Sequence, residues 1–399
     1  MVINKKTFFA GLSLVLFAAC LFAQTGTQNV LTTAHYELYA ESGAESSLPS
    51  LAKELELRFE VYNQLFRFKN LAAPMKVRVF LDPSAYDSYV SARLGTTRPG
   101  AVYLHYNQTE RRELLILRGS PEESSMLAHQ IFIQYLRGFI PNPPSWMREG
   151  FAIYFNTLKY DPVTESLNYT ENLAWLETVK SLGSQNLYPR EIMMADTVAI
   201  HETAASGATA GRFSRDFQIC SWALVSFFLF SGDYFRTLTE SFMVLSPDLT
   251  AMENSMAVMD RFSLWTDMYQ MDTDYFAYLD SRRTFAELME AGRTYYNSGN
   301  AMNAEMVFMA ALDIRPDNYA PYYYLGLIYY EDREYEMAEQ FYQLSLEYGA
   351  DEALVNYALG INAASAGRNF DAIVWLQKAA ALDPERYGER AADLIRRLM

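Results

Sequence analysis

The chain has 399 residues, of which 50% are apolar, and 48 Asp and Glu against 33 Lys and Arg give it a net charge of −15. This length provides for two or three domains with a substantial core. The negative charge disfavours nucleic acid and anionic membrane surfaces as main partners, and the 29 Tyr and 25 Phe argue against disorder.

Residues 1–23 have the layout of an export signal. Two lysines precede an apolar run over residues 8–22, and Ala23-Gln24 offers a cleavage point. Two alternatives stay open. In the first, Cys20 ends a loose lipobox and carries a lipid anchor; in the second, the apolar run is uncleaved, although it is short for a membrane span of about 20 residues. Each interpretation predicts a protein exported to the periplasm or cell envelope.

The segment from residue 31 to residue 120 combines strand and helix patterns. Apolar spacing over residues 48–68 predicts a helix. Alternating apolar residues predict strands over 35–40, 75–81, 101–106 and 112–117. The segment is therefore predicted to be α+β, with a small sheet.

A histidine-bearing helix, a proline break and a second helix form the most informative stretch. The first helix contains Met126-Leu-Ala-His-Gln-Ile-Phe-Ile-Gln-Tyr135, and the second follows in Pro143-Pro-Ser-Trp-Met-Arg-Glu-Gly-Phe-Ala-Ile-Tyr154. In the pattern H-E-x-x-H, two His at i and i+4 share a helix face and bind zinc, while the Glu activates a metal-bound water. Only His129 remains of that pattern here.

The Pro-Pro-x-Trp-x-x-Glu-Gly-x-Ala-x-Tyr run after such a helix resembles the peptidase MA-like gluzincin family. The resemblance implies an α+β gluzincin-like metallopeptidase domain over residues 31–280, in which two His and one Glu bind zinc and a second Glu is the general base. On that pattern His129 and Glu149 occupy ligand positions. Gln130 replaces the general base, and Ile133 replaces the second His.

These two departures remove the chemistry that the family pattern implies. A neutral amide cannot take a proton from water, so Gln130 removes general-base catalysis worth roughly 10²–10⁴-fold. Ile133 has no lone pair, which leaves two protein ligands where catalytic zinc has three. We therefore predict an inactive peptidase homologue without a cofactor, in which His129 and Glu149 are a structural pair rather than metal ligands.

The region after the second helix contains one apolar helix pattern. Residues 203–212 are small and polar and predict a mobile loop, whereas Phe213–Phe230 is mostly apolar and predicts a buried helix. Cys220 on this helix is predicted to be an inert core thiol. If Cys20 belongs to a leader, Cys220 is the single cysteine of the mature body and no internal disulfide can form.

The C-terminal third repeats with a period of 34 residues, set by Gly292, Gly326 and Gly360. A small residue follows each glycine after twelve positions and a large one after sixteen, in the pairs Ala304 and Phe308, Ala338 and Tyr342, and Ala372 and Leu376. This period is that of tetratricopeptide repeats (TPRs), in which helix pairs stack. We predict an all-α TPR solenoid, with three repeats over residues 284–386 and a capping helix over 387–399.

Three TPRs form a short groove lined by the first helix of each pair. In the repeat pattern, the lining positions are Arg293, Tyr296, Asn297, Tyr323, Leu327, Tyr330, Tyr357 and Ile361. This aromatic and aliphatic surface suits an apolar or aromatic segment of a partner protein. The alternative is that these tyrosines pack against the preceding domain or the capping helix.

The sequence thus predicts an exported, non-catalytic protein that binds a protein or peptide in the cell envelope, through the repeat groove and the former zinc cleft. Two alternatives stay open. In one, the chain is a divergent zinc-dependent endopeptidase that recruits another ligand, such as His105 or His201. In the other, the N-terminal domain is only a scaffold and the repeats do all the binding.

Overall fold

The computed structural model describes residues 29–120, 123–171, 173–183, 186–195 and 208–399. The predicted signal peptide, with Cys20, and His201 lie outside these residues. The chain divides into two compact units, with the boundary between Ser281 and Arg282. Within the ranges described, no helix is long and apolar enough to cross a membrane.

The N-terminal unit is built around a five-stranded mixed sheet. Its strands are β1 (Val30–Thr32), β2 (Tyr36–Ala40), β3 (Met75–Phe80), β4 (Ala101–Leu104) and β5 (Glu113–Leu117). They lie in the order β1-β2-β3-β5-β4, with three parallel central strands and with β1 and β4 antiparallel at the two edges. The four predicted strands are present and this unit is α+β, whereas the pattern did not indicate the short edge strand β1.

The α-helices of the N-terminal unit follow in chain order. They are α1 (Leu48–Phe66), α2 (Pro83–Leu94), α3 (Glu123–Phe139), α4 (Ser145–Phe155), α5 (Leu173–Ser181), α6 (Pro189–Met194), α7 (Ala208–Phe230), α8 (Gly232–Ser241), α9 (Ala251–Ser263) and α10 (Met268–Ser281). A hairpin of β6 (Leu158–Asp161) and β7 (Ser166–Tyr169) follows α4.

Both faces of the sheet are buried, as is usual for parallel strands. On one face, α2 places Tyr86 and Val90 over Phe80, Leu104 and Leu115 in a small core of its own. The other face belongs to the main core, to which α1, α3, α4 and α7 contribute many aromatic side chains. The predicted His-bearing helix is thus α3, and it lies beside the sheet at the edge strand β4.

Helices α4 and α7 approach each other closely at Gly150. A Cβ at this position would lie 2.4 Å from the backbone oxygen of Ser221 and 2.8 Å from Cγ2 of Val225. No side chain fits this contact, because real Cβ atoms do not approach backbone so closely. The Glu-Gly pair of the sequence motif therefore has a packing reason for its glycine.

Helix α7 begins at Ala208, earlier than the predicted start at Phe213. The prediction of a loop over residues 203–212 is therefore wrong from Ala208 onward, and residues 203–207 lie outside the described part of the chain. The first turn contains Ala208 and Ala210, and alanine has the highest intrinsic helix propensity. The small residues there extend the helix instead of ending it.

Cys220 is buried on α7, and its S–H donates to Oδ1 of Asn186 at 3.2 Å. Burial raises the pKa of this thiol to about 11. The thiolate is the reactive form, so a thiol that stays protonated at neutral pH is a poor nucleophile. This environment agrees with the prediction of an inert core thiol.

The C-terminal unit is a stack of antiparallel helix pairs. The pairs are α11 (Phe285–Asn297) with α12 (Ala301–Ile314), α13 (Tyr319–Glu331) with α14 (Tyr335–Glu347), and α15 (Glu352–Ser365) with α16 (Asn369–Leu382), and α17 (Pro384–Leu398) follows them. The second helices begin at residues 301, 335 and 369, at the predicted spacing of 34 residues. The predicted capping helix corresponds to α17, which begins at Pro384 instead of at residue 387.

The repeated residues occupy equivalent places in the three pairs. The small residues Ala304, Ala338 and Ala372 are fully buried. At Gly326, an added Cβ would lie 2.5 Å from the ring of Tyr342 on the paired helix. The glycine of each repeat therefore lies where the first helix meets the large residue of the second, and the TPR prediction is confirmed.

Candidate functional site

The sequence points to two candidate sites, the cleft between α3 and α4 in the N-terminal unit, where the family resemblance would place a zinc ion, and the groove of the repeats. In the cleft, α3 carries His129 and α4 carries Glu149, with Nε2 of the histidine 3.9 Å from Oε2 of the carboxylate. Arg148 Nε donates to the other carboxylate oxygen at 2.8 Å, and Gln218 Nε2 on α7 donates to Oε2 at 3.3 Å. The predicted pair of His129 and Glu149 is thus brought together.

The charge states of this pair follow from burial and from Arg148. Burial lowers the pKa of the His129 imidazole below its ordinary value, although the nearby Glu149 carboxylate opposes that shift. For Glu149, burial raises the pKa, but Arg148, His129 and Gln218 together outweigh it, and the pKa is lowered. At neutral pH the pair therefore consists of a neutral imidazole and a carboxylate whose counter-ion is Arg148.

Gln130, at the position that the resemblance would assign to a general base, has a structural partner. Its Oε1 accepts the backbone N–H of Tyr103, in the edge strand β4, at 3.0 Å. On this edge, a strand-adding peptide would need the N–H groups that face away from β5. The backbone oxygen of Gly100 accepts the N–H of Leu117 in β5, so the backbone polar groups of Gly100 face β5. Successive residues of a strand face alternate sides, and the N–H of Tyr103, three residues further on, therefore faces away from β5. Gln130 therefore joins α3 to β4 by a hydrogen bond, and it uses the N–H group that an added peptide strand would need at Tyr103.

Ile133 lies half-buried at the position of the second ligand and packs against the main core. Of the other histidines, His35 stacks on Phe59 with ring centroids 3.6 Å apart, and its Nδ1 lies 2.6 Å from Oε2 of Glu56. His105 follows β4, and burial together with Arg137, Arg112 and Arg148 lowers its pKa to about 3. The charged side chains that act on His105 are therefore all arginines.

The described residues of the cleft do not provide the ligands of a zinc site. Catalytic zinc takes three protein ligands, and among the described residues no group of three His, Cys, Asp or Glu side chains could hold a metal ion. The Glu149 carboxylate already accepts from Arg148 and Gln218. Of the two ligands that the peptidase alternative could recruit, His201 lies outside the described residues. The other, His105, is under the influence of three arginines, and positive charges repel a divalent cation.

Replacing His105 with glutamine is expected to reduce the loss of stability in acid. Since the folded-state pKa is about 3 and the unfolded value is about 6.5, the unfolded state binds a proton at pH 5 that the folded state does not. Stability due to this group is therefore lost as the pH falls from 6.5 towards 3. Urea unfolding between pH 7 and pH 4 measures this slope, which His105→Gln should lower by nearly one proton; an unchanged slope would contradict the assignment.

The second candidate site is a pocket of the repeat groove, with a volume of about 280 Å³. Five of the eight predicted groove residues line it, namely Tyr323, Leu327, Tyr330, Tyr357 and Ile361. The other three, Arg293, Tyr296 and Asn297, do not line this pocket; Tyr296 donates its hydroxyl to Glu331 at 2.5 Å, and Arg293 pairs with Glu290 at 3.3 Å.

Two further aromatic residues that line the pocket, Tyr342 and Tyr387, lie outside the predicted set. Tyr342 lies 5.8 Å from Tyr323, ring to ring, and the buried Tyr387 on α17 lies 4.8 Å from Tyr357. The alternative that groove tyrosines pack against the capping helix is thus true of Tyr357, which nevertheless still lines the pocket. The contacts hold the aromatic walls in fixed positions.

Two arginines of α17, Arg386 and Arg390, also line the pocket. They are four residues apart and therefore lie on one face of the helix. Both side chains are exposed, and neither forms an ion pair with any Asp or Glu of the described residues. The groove is therefore aromatic with a basic margin, and the i, i+4 spacing of these arginines was the sequence signal for it.

Comparison with known proteins gives a likeness to TPR structures. No protein-family model matches the chain, and no curated protein matches it. The first TPR of Spaghetti (RPAP3) bound to an HSP90 peptide has 17% sequence identity and a TM-score of 0.27, over 29% of this chain and 89% of that one. The Arabidopsis OM64 TPR domain has the same identity and TM-score, over 29% of this chain and 96% of that one.

A third solved structure, YrrB, which is described as a TPR protein with an unusual peptide-binding site, has 12% identity and a TM-score of 0.26. The match covers 53% of this chain and 94% of YrrB. The assignment of the C-terminal unit to the TPR fold is carried by its own helix pairs and buried columns.

Proposed function

We propose that this chain is a non-catalytic binding protein whose repeat unit holds a segment of a partner protein. The observation that carries the proposal is the pocket of about 280 Å³ in the repeat groove. It is lined by half-buried Tyr, Leu and Ile side chains, which gain free energy when an apolar group covers them. Pockets of this kind bind mainly through a few buried anchors of the partner.

The lining residues indicate the chemistry of the segment. Tyr323, Leu327 and Tyr357 suit an aromatic or large aliphatic side chain. Arg386 and Arg390 at the margin suit a carboxylate, because guanidinium groups bind carboxylates with charge-assisted hydrogen bonds. The preferred segment therefore has an apolar anchor followed or preceded closely by Asp or Glu.

Selection from a random peptide library on the full chain tests this proposal. We expect enrichment of peptides that place an aromatic or aliphatic residue within a few positions of Asp or Glu. We also expect weaker binding at higher salt, since the acidic contact is exposed to solvent. A selection without such a consensus would contradict the proposed specificity.

We further propose that the N-terminal unit is a gluzincin-like domain without peptidase activity. The arrangement of α3, the proline break and α4, with Glu149 facing His129 at 3.9 Å, supports the kinship. Gln130 and Ile133 support the loss of catalysis, because neither can act as the general base or as a metal ligand. Cleavage of an unfolded protein substrate that stops on addition of a chelator would establish the endopeptidase alternative instead.

Export to the periplasm or cell envelope is the remaining part of the proposal. It rests on residues 1–23, with their basic start and apolar run. If Cys20 is acylated instead of removed, the binding groove would be held at a membrane surface.

A further inference from the structure

The former zinc cleft contains basic side chains that the proposed function does not use. On α3, Arg137 lies four residues after Ile133 and eight after His129, so the three share one helix face. On α4, Arg148 lies next to Glu149, whose carboxylate faces His129. The positions that carry ligands in the family pattern therefore have two guanidinium groups beside them, Arg137 on α3 and Arg148 on α4.

The edge strand adds further polar groups to the same place. Tyr103 of β4 donates its backbone N–H to Gln130, which fixes the strand beside α3. His105, just after β4, has a buried Nδ1 without a hydrogen-bond partner. Arg112 lies close by and donates from Nε to the backbone oxygen of Tyr106 at 2.6 Å.

Among the described residues, no carboxylate lies within ion-pairing distance of Arg137. The Nε of this side chain is buried without a hydrogen-bond partner. Burial, together with Arg148, lowers the pKa of Arg137 to about 10, although Tyr103 and the Glu149 carboxylate oppose that shift. A partly buried guanidinium without an ion-pair partner is unfavourable in a folded protein. A negatively charged ligand from outside the chain would therefore stabilise this group.

The local charge is positive although the chain is acidic. Arg112, Arg137 and Arg148 all act on His105, and the carboxylate that opposes them in the cleft is Glu149. That carboxylate already accepts from Arg148 and Gln218. Counting only the residues that the structure describes, two positive charges of the cleft therefore remain without a paired carboxylate, in a molecule whose net charge is −15.

We propose that this cluster, Arg137 with Arg112, Arg148 and His105, is a binding site for a small oxyanion, a carboxylate or a phosphate group. Planar guanidinium groups bind both kinds of oxyanion in a bidentate manner. The hydroxyl of Tyr103, which is half-buried near Arg137, provides a further donor. The family pattern binds a cation at this place, whereas the cluster of this chain would bind an anion.

Thermal unfolding of the full chain tests this site. Melting temperatures are measured at pH 7 in increasing sodium phosphate and, separately, sodium acetate, with the ionic strength held constant by sodium chloride. We expect a saturable rise, because a ligand that binds only the folded state stabilises it by mass action. A rise with phosphate alone identifies a phosphate ligand, and a rise with acetate alone identifies a carboxylate.

Three variants make the outcome specific to the cluster. Arg137→Met should abolish the saturable rise, Arg137→Lys should retain it with affinity weakened about tenfold because the fork is lost, and the exposed Arg98→Met should leave it unchanged. In buffer without phosphate or acetate, Arg137→Met should melt at or above the wild-type temperature, since it removes a partly buried charge that has no ion-pair partner. An equal rise in Arg137→Met, the absence of saturation, or a lower melting temperature of this variant in that buffer would overturn the proposal.

Discussion

Gly150→Ala is expected to lower the stability of the N-terminal unit by about 3 kcal/mol, within the usual range for overpacking. The added Cβ would lie 2.4 Å from the Ser221 backbone oxygen, and backbone cannot move aside as a flexible side chain can. Helices α4 and α7 would have to separate at the centre of the main core. For a unit of this size the change corresponds to roughly 6–12 °C in melting temperature, measured by differential scanning calorimetry.

Gly232→Ala provides the matched control. Gly232 begins helix α8, and nothing lies within 4 Å of a Cβ added there. This substitution should be neutral or stabilise by up to about 1 kcal/mol, because alanine loses less backbone entropy than glycine on folding. If Gly150→Ala behaved like Gly232→Ala, the close contact of α4 with α7 would not exist.

Leu327→Asp is expected to weaken binding of a selected peptide by about 30-fold or more. The substitution places a carboxylate among Tyr323, Tyr330 and Tyr357, where the proposed anchor of the peptide lies. Loss of a buried interface anchor costs about 2 kcal/mol or more, and the new charge also repels the acidic part of the peptide. Isothermal titration calorimetry on the full chain measures the change.

Val374→Asp is the control for this prediction. Val374 lies on α16 with 46% of its surface exposed and does not line the pocket. It introduces the same charge into the same unit and should leave the affinity within about twofold, because its charge is screened at a distance from the site. Equal weakening by both substitutions would mean that the net charge of the unit, and not the pocket, controls binding.

Local patterns were sufficient for much of the fold. The alternation over residues 75–81 predicted β3, and the 34-residue period predicted the helix pairs with their buried Ala304 and Ala338. Both signals depend on residues close together in the chain or on a repeated unit. The start of α7 was misplaced because small residues such as Ala208 are compatible with either a loop or a helix.

The candidate sites depend on contacts between distant residues, which patterns do not specify. The sequence marked Gln130 as a lost general base, but not as the acceptor for Tyr103 of β4. It predicted that the last helix caps the repeats, but not that Arg386 and Arg390 line the pocket. The cationic surroundings of His105 likewise arise from side chains on three separate elements.

The central claim, that the repeat pocket holds the partner segment, is tested most directly by photo-crosslinking. A benzophenone amino acid placed at residue 361, which lines the pocket, should form a covalent adduct with a selected peptide that mass spectrometry locates. The same amino acid placed at residue 374, outside the pocket, should give none. An adduct from residue 374 but not from residue 361, or adducts from neither while the peptide still binds, would contradict the account.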